Sequence, residues 1–162
     1  SHVADTYKPI DVITYEDKRF YYCNCKTLNL IPSCLAATAA DRAGCQEAIF
    51  HRGDLVTECA HSNVSIFKDG KVITHQLDDK VLPGTARIRL LAFAKKLGYG
   101  VEERDYTLDE LMNADEIIVH STGSFCIPVK TVDGKPVGGK APEMLKTIQD
   151  ALVKDFEEQC KA

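Results

Sequence analysis

The segment Glu116-Ile117-Ile118-Val119-His120 is an apolar run of the length that a fully buried strand needs. It is followed at once by Ser121-Thr122-Gly123-Ser124, a loop of small and hydroxylic residues. A strand that is buried on both faces must be covered by other elements, and helical patterns elsewhere in the chain can supply that cover. Strand and helix patterns are mixed throughout the rest of the chain, so an α/β fold is predicted.

Strand patterns continue on both sides of this segment. Further strands are predicted at residues 10–16, 19–25, 47–51, 55–58, 64–68, 71–75, 101–106, 127–132 and 135–137. Asp69-Gly70 and Asp133-Gly134 each separate two of these runs, and Asp-Gly is a strong signal for a tight hairpin. Neighbouring strands joined by such turns are antiparallel, so the sheet is expected to be mixed.

Four helices are predicted between these strands. The first begins at Pro32-Ser33, with Ser33 as its N-cap, and ends at Gly44. The second follows the loop at residues 78–85 and carries Ile88, Leu91 and Leu97 on its apolar side. A capping-box pattern at Thr107 opens a short helix to residue 114, and residues 141–159 form the last helix.

Composition excludes several classes of protein. The 162 residues can form one domain with a substantial core, and 44% of them are apolar and 27% charged, as in ordinary globular proteins. A net charge of -4 argues against nucleic-acid binding, and no apolar run approaches the length of a membrane span. Seven cysteines without regular spacing are expected to be reduced thiols of a cytoplasmic protein, and no metal site is predicted.

Lys26 stands in the segment Cys25-Lys26-Thr27-Leu28-Asn29-Leu30, directly after a predicted strand and among largely apolar neighbours. Burial disfavours the ammonium form of lysine and turns its amine into a nucleophile that can form a Schiff base. A snorkelling lysine at the end of a strand is the simpler explanation of these six residues alone. The choice between the two depends on the polar groups that the fold places around it.

Three polar features follow predicted strands or open a helix, where α/β folds place their ligand sites. Glu58 is an acidic residue at the end of a buried strand, and Leu82-Pro83-Gly84-Thr85-Ala86-Arg87 is a turn of small residues at a helix N-terminus, which favours an anion. The loop at Ser121-Thr122-Gly123-Ser124 offers hydroxyls and amides to phosphate oxygens. Together with Lys26 they form the set that pyridoxal 5'-phosphate requires: an amine, a carboxylate for the ring nitrogen, and a phosphate cradle.

The sequence resembles the class IV, fold-type IV aminotransferases, and within them it is most like the D-amino-acid aminotransferases. The pieces that carry the resemblance occur in family order: Lys26-Thr27-Leu28-Asn29-Leu30, His51-Arg52-Gly53, Val56-Thr57-Glu58, Ser62-Asn63-Val64, Leu82-Pro83-Gly84-Thr85-Ala86-Arg87, Glu102-Glu103-Arg104, Asp115-Glu116, Pro128-Val129 and Asp133-Gly134. The resemblance implies a mixed sheet that forms a partly closed barrel flanked by helices. It also implies that pyridoxal phosphate is the cofactor, that an amino acid and a 2-oxo acid are the substrates, and that the protein is a homodimer.

The resemblance also assigns residues to roles. It implies that Lys26 forms the Schiff base, that Glu58 pairs with the pyridinium nitrogen and that Leu82 packs on the cofactor ring. The phosphate would be held by four residues: Thr85, Ala86, Ser121 and Thr122.

Three positions depart from the family pattern. Cys59 stands where a glycine usually follows the glutamate, and Ala86 replaces a threonine, so one hydroxyl donor is lost while the amide stays. His61 replaces a small residue, and either a contact with the cofactor or a plain loop position accounts for it.

The largest departure concerns domains. Family members carry a smaller N-terminal domain that supplies an arginine to the phosphate and most residues that select the substrate. We expect residues 1–162 to be the single cofactor-binding C-terminal domain without that partner, and Ser1-His2 to be the remnant of an expression tag. An aminodeoxychorismate lyase, a branched-chain aminotransferase and a catalytically silent fragment are the alternatives.

Overall fold

The computed structural model describes residues 2–18, 31–77, 84–121 and 123–161. Its helices are α1 His2–Asp5, α2 Ile31–Arg42, α3 Thr85–Lys96, α4 Leu108–Met112 and α5 Pro142–Cys160. Its strands are β1 Ile10–Glu16, β2 Glu47–Arg52, β3 Leu55–Cys59, β4 Asn63–Lys68, β5 Lys71–Thr74, β6 Gly100–Glu103, β7 Glu116–Ser121, β8 Ser124–Val132 and β9 Lys135–Pro136. The strand predicted at residues 19–25 lies outside the described residues.

The strands form one mixed sheet in the order β3-β2-β1-β8-β7-β4-β5-β6, and β9 pairs with β8 beside this path. β1 is parallel to both of its neighbours, and β5 is parallel to β6, whereas the other pairs are antiparallel. The two predicted Asp-Gly hairpins are confirmed, and both residues of each turn have positive φ angles near 50° to 78°. The predicted α/β class with a mixed sheet is therefore confirmed.

The two ends of this strand order meet through the segment that follows β6. The Val56 amide donates to the carbonyl oxygen of Tyr106 at 3.0 Å, and the Leu108 amide donates to that of Asp54 at 2.8 Å. These bonds join the segment to the start of β3, so the sheet curls into a partly closed barrel, as predicted. The strand predicted at residues 101–106 ends at Glu103, because its parallel neighbour β5 stops at Thr74.

Helices cover the outside of this sheet. α2 packs Ala36 and Ala40 against Ala48 and Phe50 of β2, which is the close contact that small side chains allow. α3 and α5 share a second apolar cluster with one side of β4, β7 and β8, whereas the interior cluster draws on nearly every strand. No helix in the described ranges is long and apolar enough to span a membrane.

Two details of the predicted helices are wrong. Ser33 is not an N-cap, because α2 already begins at Ile31 and places Pro32 in its first turn, where a missing amide hydrogen costs little. In α3, Ile88 is 59% exposed and Leu97 lies beyond the last helical residue. The buried stripe of α3 instead consists of Arg87, Leu90, Leu91 and Ala94.

The α4 start is as predicted. The Thr107 side chain accepts from the Glu110 amide and the Glu110 carboxylate accepts from the Thr107 amide, so the capping box is complete. The helix ends at Met112, two residues before the predicted limit.

Candidate active site

The structure describes four of the seven predicted site residues. Glu58, Thr85, Ala86 and Ser121 are described, whereas Lys26, Leu82 and Thr122 lie outside the described residues. The structure shows where the first group lies, and the roles assigned to all seven residues stay predictions.

Glu58 lies near the end of β3 and is only 6% exposed. The Asn63 side-chain amide donates to its Oε2 atom at 3.0 Å. Asn63 is the first residue of β4, and a tight turn brings it back to β3, with the Cys59 amide donating to the Ser62 carbonyl oxygen at 2.8 Å. A carboxylate in the interior needs such donors to offset the loss of water, and this turn supplies one of them.

Gly84 connects this carboxylate to helix α3. It precedes the helix in an extended conformation and caps it without a side-chain hydrogen bond. A Cβ atom at this position would lie 2.6 Å from the Asn63 Oδ1 atom, so only glycine fits without a shift. Asn63 therefore contacts both Glu58 and the entrance of α3, and it couples their positions.

The first turn of α3 faces the end of β7 across a small cavity of about 30 Å³. Thr85, Ala86 and Ser121 line it, so the structure brings together the three described residues that were predicted to hold phosphate. The first amides of a helix have no acceptor within the helix, and the helix dipole adds partial positive charge there. These groups fit a phosphate, and Ala86 can contribute its amide although it has no hydroxyl.

A buried polar layer lies beneath α3. Arg87 donates from Nη1 to the Thr74 hydroxyl at 3.1 Å and to the His75 carbonyl oxygen at 2.6 Å. Its Nη2 atom donates to Glu103 at 2.8 Å. These contacts anchor the first turn of α3 to the ends of β5 and β6.

His120 belongs to the same layer and precedes Ser121 on β7. The Ser65 hydroxyl and the His120 Nε2 atom are 2.9 Å apart, and His120 is fully buried. Burial, with a smaller contribution from the Arg87 charge, lowers the pKa of His120 to about 3. The imidazole is therefore neutral at physiological pH and acts as a packing and hydrogen-bonding group beside the cavity.

His61 lies in the turn between β3 and β4, and its side chain is exposed. Its amide donates to the carboxylate of Glu47, a buried residue at the start of β2. Burial raises the pKa of Glu47, and the hydrogen bonds from Ala48, His61 and Ser62 oppose this effect. The described surroundings of His61 agree with a loop position.

Sequence reasoning missed two residues of this region. Asn63 was recognised only as part of a resembling motif, although an amide beside a buried carboxylate is a natural donor. Arg89 lines the cavity together with Phe125 and Leu152. The signal for Arg89 was its position four residues after Thr85, which places both side chains on one side of the helix.

The chain is similar to known proteins over most of its length. Residues 4–132 match the family described as Amino-transferase class IV. A D-alanine aminotransferase of Listeria monocytogenes serotype 4b (strain F2365) is 41% identical over 150 residues, covering 92% of this chain and 52% of the relative. The chain thus spans about half the length of the curated relatives it matches.

Solved structures give the same result for the fold. The branched-chain amino acid aminotransferase of Escherichia coli is 29% identical and superimposes with a TM-score of 0.81, covering 91% of this chain and 51% of that one. A fold IV transaminase from Curtobacterium pusillum is 23% identical with a TM-score of 0.84, covering 97% and 56%. Another branched-chain amino acid aminotransferase, complexed with N-(5'-phosphopyridoxyl)-L-glutamate, is 27% identical with a TM-score of 0.78, covering 90% and 53%.

Proposed function

The chain belongs to the class IV aminotransferases, and from this premise we propose that it is the cofactor-binding part of a pyridoxal-phosphate-dependent aminotransferase. The observation that carries the proposal is the single connected site around α3. Its first turn and Ser121 line one cavity, while Gly84 and Asn63 join that helix start to the buried Glu58 carboxylate. A phosphate cradle and a sheltered carboxylate are the two fixed points that this cofactor needs.

The proposed substrates are a D-amino acid, such as D-alanine, and a 2-oxo acid. Support comes from the curated relatives, which are named D-alanine aminotransferases and are more similar in sequence than the branched-chain enzymes found among the structures. No observation on the described residues favours a lyase.

The residues of the proposed site have distinct tasks. Pyridoxal phosphate supplies a pyridine ring that accepts the electron pair released when the Cα–H bond of the amino acid breaks. Glu58, held by Asn63, would keep a proton on the ring nitrogen. Lys26 would hold the cofactor and serve as base and acid for the Cα proton. Leu82 would pack on the ring.

The phosphate would be bound at the other end of the site. The amides of Thr85 and Ala86, with Ser121 and Thr122, would hold it, and the dipole of α3 would stabilise its charge. His120, which is neutral, and Arg87, which is fixed by its hydrogen bonds, help to hold β7 and α3 in position.

We also propose a single cofactor-binding domain at residues 1–162, a homodimeric assembly and a cytoplasmic location. The half-length match to the relatives supports the first of these. Free thiols at Cys34, Cys45, Cys126 and Cys160 are consistent with a reducing compartment. Light scattering of the purified protein, with twice the chain mass expected, tests the assembly.

Covalent labelling tests the central claim. We expect borohydride reduction of a sample loaded with pyridoxal phosphate to fix the pyridoxyl group on the peptide that contains Lys26, because this amine is predicted to be sheltered and nucleophilic. Peptide mass mapping locates the label, and a Lys26→Ala variant serves as control. A label that falls mainly on Lys130, Lys140 or another lysine contradicts the proposed site.

A further inference from the structure

Arg89 shares the cavity with Thr85, Ala86 and Ser121. It lies one helical turn after Thr85 on α3, so its side chain extends along the same side of the helix. The Arg89 side chain is 36% exposed, so it is neither buried in the protein nor fully surrounded by solvent. A positive group that reaches this cavity is not part of the set of site residues derived above.

The Arg89 guanidinium is fixed by α5. Its Nη2 atom donates to the Asp155 Oδ2 atom at 2.7 Å, and the Asp155 side chain is 28% exposed. Asp155 is the residue in the described ranges to which the Arg89 side chain donates a hydrogen bond. Guanidinium carries five N–H donors in a planar fork, so one carboxylate contact leaves donors for a second anion.

The charge balance of the cavity gives this pair a purpose. Asp155 pairs with a residue that lines a cavity otherwise suited to an anion, and an unpaired carboxylate near that cavity would repel a phosphate dianion. The first turn of α3 supplies only about half an elementary charge from its dipole. A guanidinium that neutralises Asp155 removes this repulsion, and its remaining donors add positive charge for the anion.

We propose that Arg89 is an additional phosphate-binding residue of this site and that Asp155 is a positioning residue that holds the guanidinium at the cavity. This inference rests on the proposed function, because the anion is the phosphate of pyridoxal phosphate. It assigns to the chain itself a charge-assisted contact of the kind that arginine makes with phosphate.

Paired titrations of the 162-residue chain test it. Pyridoxal phosphate and pyridoxal, which has no phosphate, are each titrated by absorbance, and the ratio of their dissociation constants isolates the phosphate contribution. We expect Arg89→Ala to weaken pyridoxal phosphate binding roughly tenfold and to change pyridoxal binding less than about twofold. The double variant Arg89→Ala with Asp155→Asn should stay weaker than wild type, because the guanidinium donors are still missing.

Arg104→Ala is the matched control. Arg104 forms a 2.7 Å ion pair with Glu110 and a 3.0 Å pair with Glu102, at similar exposure, but it does not line the cavity. Exposed ion pairs contribute little to stability, so both variants should stay folded, which their melting curves check. The control should leave the ratio for the two ligands unchanged.

The other possible results contradict either the proposed function or the role of Arg89. If wild type binds pyridoxal phosphate no better than pyridoxal, the proposed function fails and this inference fails with it. If wild type prefers the phosphorylated ligand and Arg89→Ala behaves like Arg104→Ala, only the inference is wrong. If the double variant regains full affinity, Arg89 merely neutralises Asp155 and does not contact the phosphate.

Discussion

Glu58 shows at the scale of a residue how a buried carboxylate is accommodated in a barrel wall. Its carboxylate is buried, and the Asn63 side-chain amide donates to it. A hydrogen bond to a charged group contributes about 1.5–3 kcal/mol, so a neutral replacement that still accepts a hydrogen bond separates charge from shape.

Glu58→Gln is the corresponding test. The glutamine oxygen can accept from Asn63, so we expect an unchanged fold, whereas the proton on the cofactor ring is no longer stabilised. Exchange of the Cα proton of D-alanine in the cofactor-loaded chain, followed by NMR in deuterated water, should slow at least about 100-fold. Glu47→Gln, at an equally buried carboxylate on β2, is the control and should keep its exchange rate. Exchange near the wild-type rate in Glu58→Gln would remove Glu58 from the site.

His120 gives a pH dependence at the same scale. Its pKa is lowered from 6.5 to about 3, first by burial and then by the Arg87 charge. Below pH 6.5 His120 binds a proton in the unfolded chain, whereas in the folded chain it binds one only near pH 3. The contribution of His120 to the free energy of unfolding is therefore fully present above pH 6.5, and it is lost as the pH falls from 6.5 to about 3.

We expect wild type to lose about 1.5 kcal/mol more of its free energy of unfolding than His120→Gln between about pH 6.5 and pH 5. Urea unfolding at the two pH values measures this difference, and His61→Gln, at an exposed histidine, should behave like wild type. NMR titration of the His120 ring provides a second measurement. A ring that titrates near its ordinary pKa of about 6.5 in the folded protein contradicts the assignment.

The two Asp-Gly hairpins show at the scale of an element that one turn motif has two different surroundings. Asp69 and Asp133 have φ angles of 51° and 50°, so their backbone requirements match. The Asp133 carboxylate also accepts from the Thr14 amide at 2.9 Å and from the Thr14 hydroxyl at 2.6 Å. It thereby fastens the β8–β9 hairpin to β1.

Alanine substitution of each aspartate separates the contribution of the turn conformation from that of the Asp133 contacts with Thr14. Both variants meet the same strain at positive φ, but only Asp133→Ala leaves the Thr14 groups without their acceptor. We expect Asp133→Ala to lower the free energy of unfolding by about 1–2 kcal/mol more than Asp69→Ala. Urea unfolding of the two variants measures the difference. Equal losses would show that the Thr14 contacts contribute nothing to stability.

The whole molecule combines an interior cluster, an outer cluster under α3 and α5, and a site that spans the edge between them. Its own packed core explains why residues 1–162 should fold as a unit. The relatives, however, are about twice as long as this chain. Substrate selection and closure of the site are expected to draw on the part of those relatives that this chain does not match.

We therefore expect the 162-residue polypeptide, assayed alone, to bind the cofactor and to transaminate slowly. The chain spans only about half the length of its relatives, and charges that water reaches are screened more strongly. An assay with D-alanine and 2-oxoglutarate at saturating cofactor should give a turnover far below the common enzyme value of about 10 per second. A rate near that value would show that the chain is catalytically sufficient by itself.

Local sequence determined the parts of this protein that depend on near neighbours. Asp69-Gly70 and Asp133-Gly134 predicted the hairpins, and Thr107 with Glu110 predicted the α4 capping box, because each signal acts within a few residues. Glu58 and Ser121 were recognised as site candidates because they stand at the ends of strands.

Tertiary structure alone decided the features that join distant segments. The position of β1 between β2 and β8, the closure through Tyr106 and Val56, and the contacts of Asn63 with Glu58 and Gly84 are all made between separate elements. In α3 the apolar Ile88 is exposed and the charged Arg87 is buried, which is the opposite of what hydrophobicity predicts. Arg87 can be buried because it finds acceptors on β5 and β6, and no local pattern reveals them. Hydrophobicity selects which residues can be buried, but only the geometry of the assembled barrel determines which polar groups find partners there.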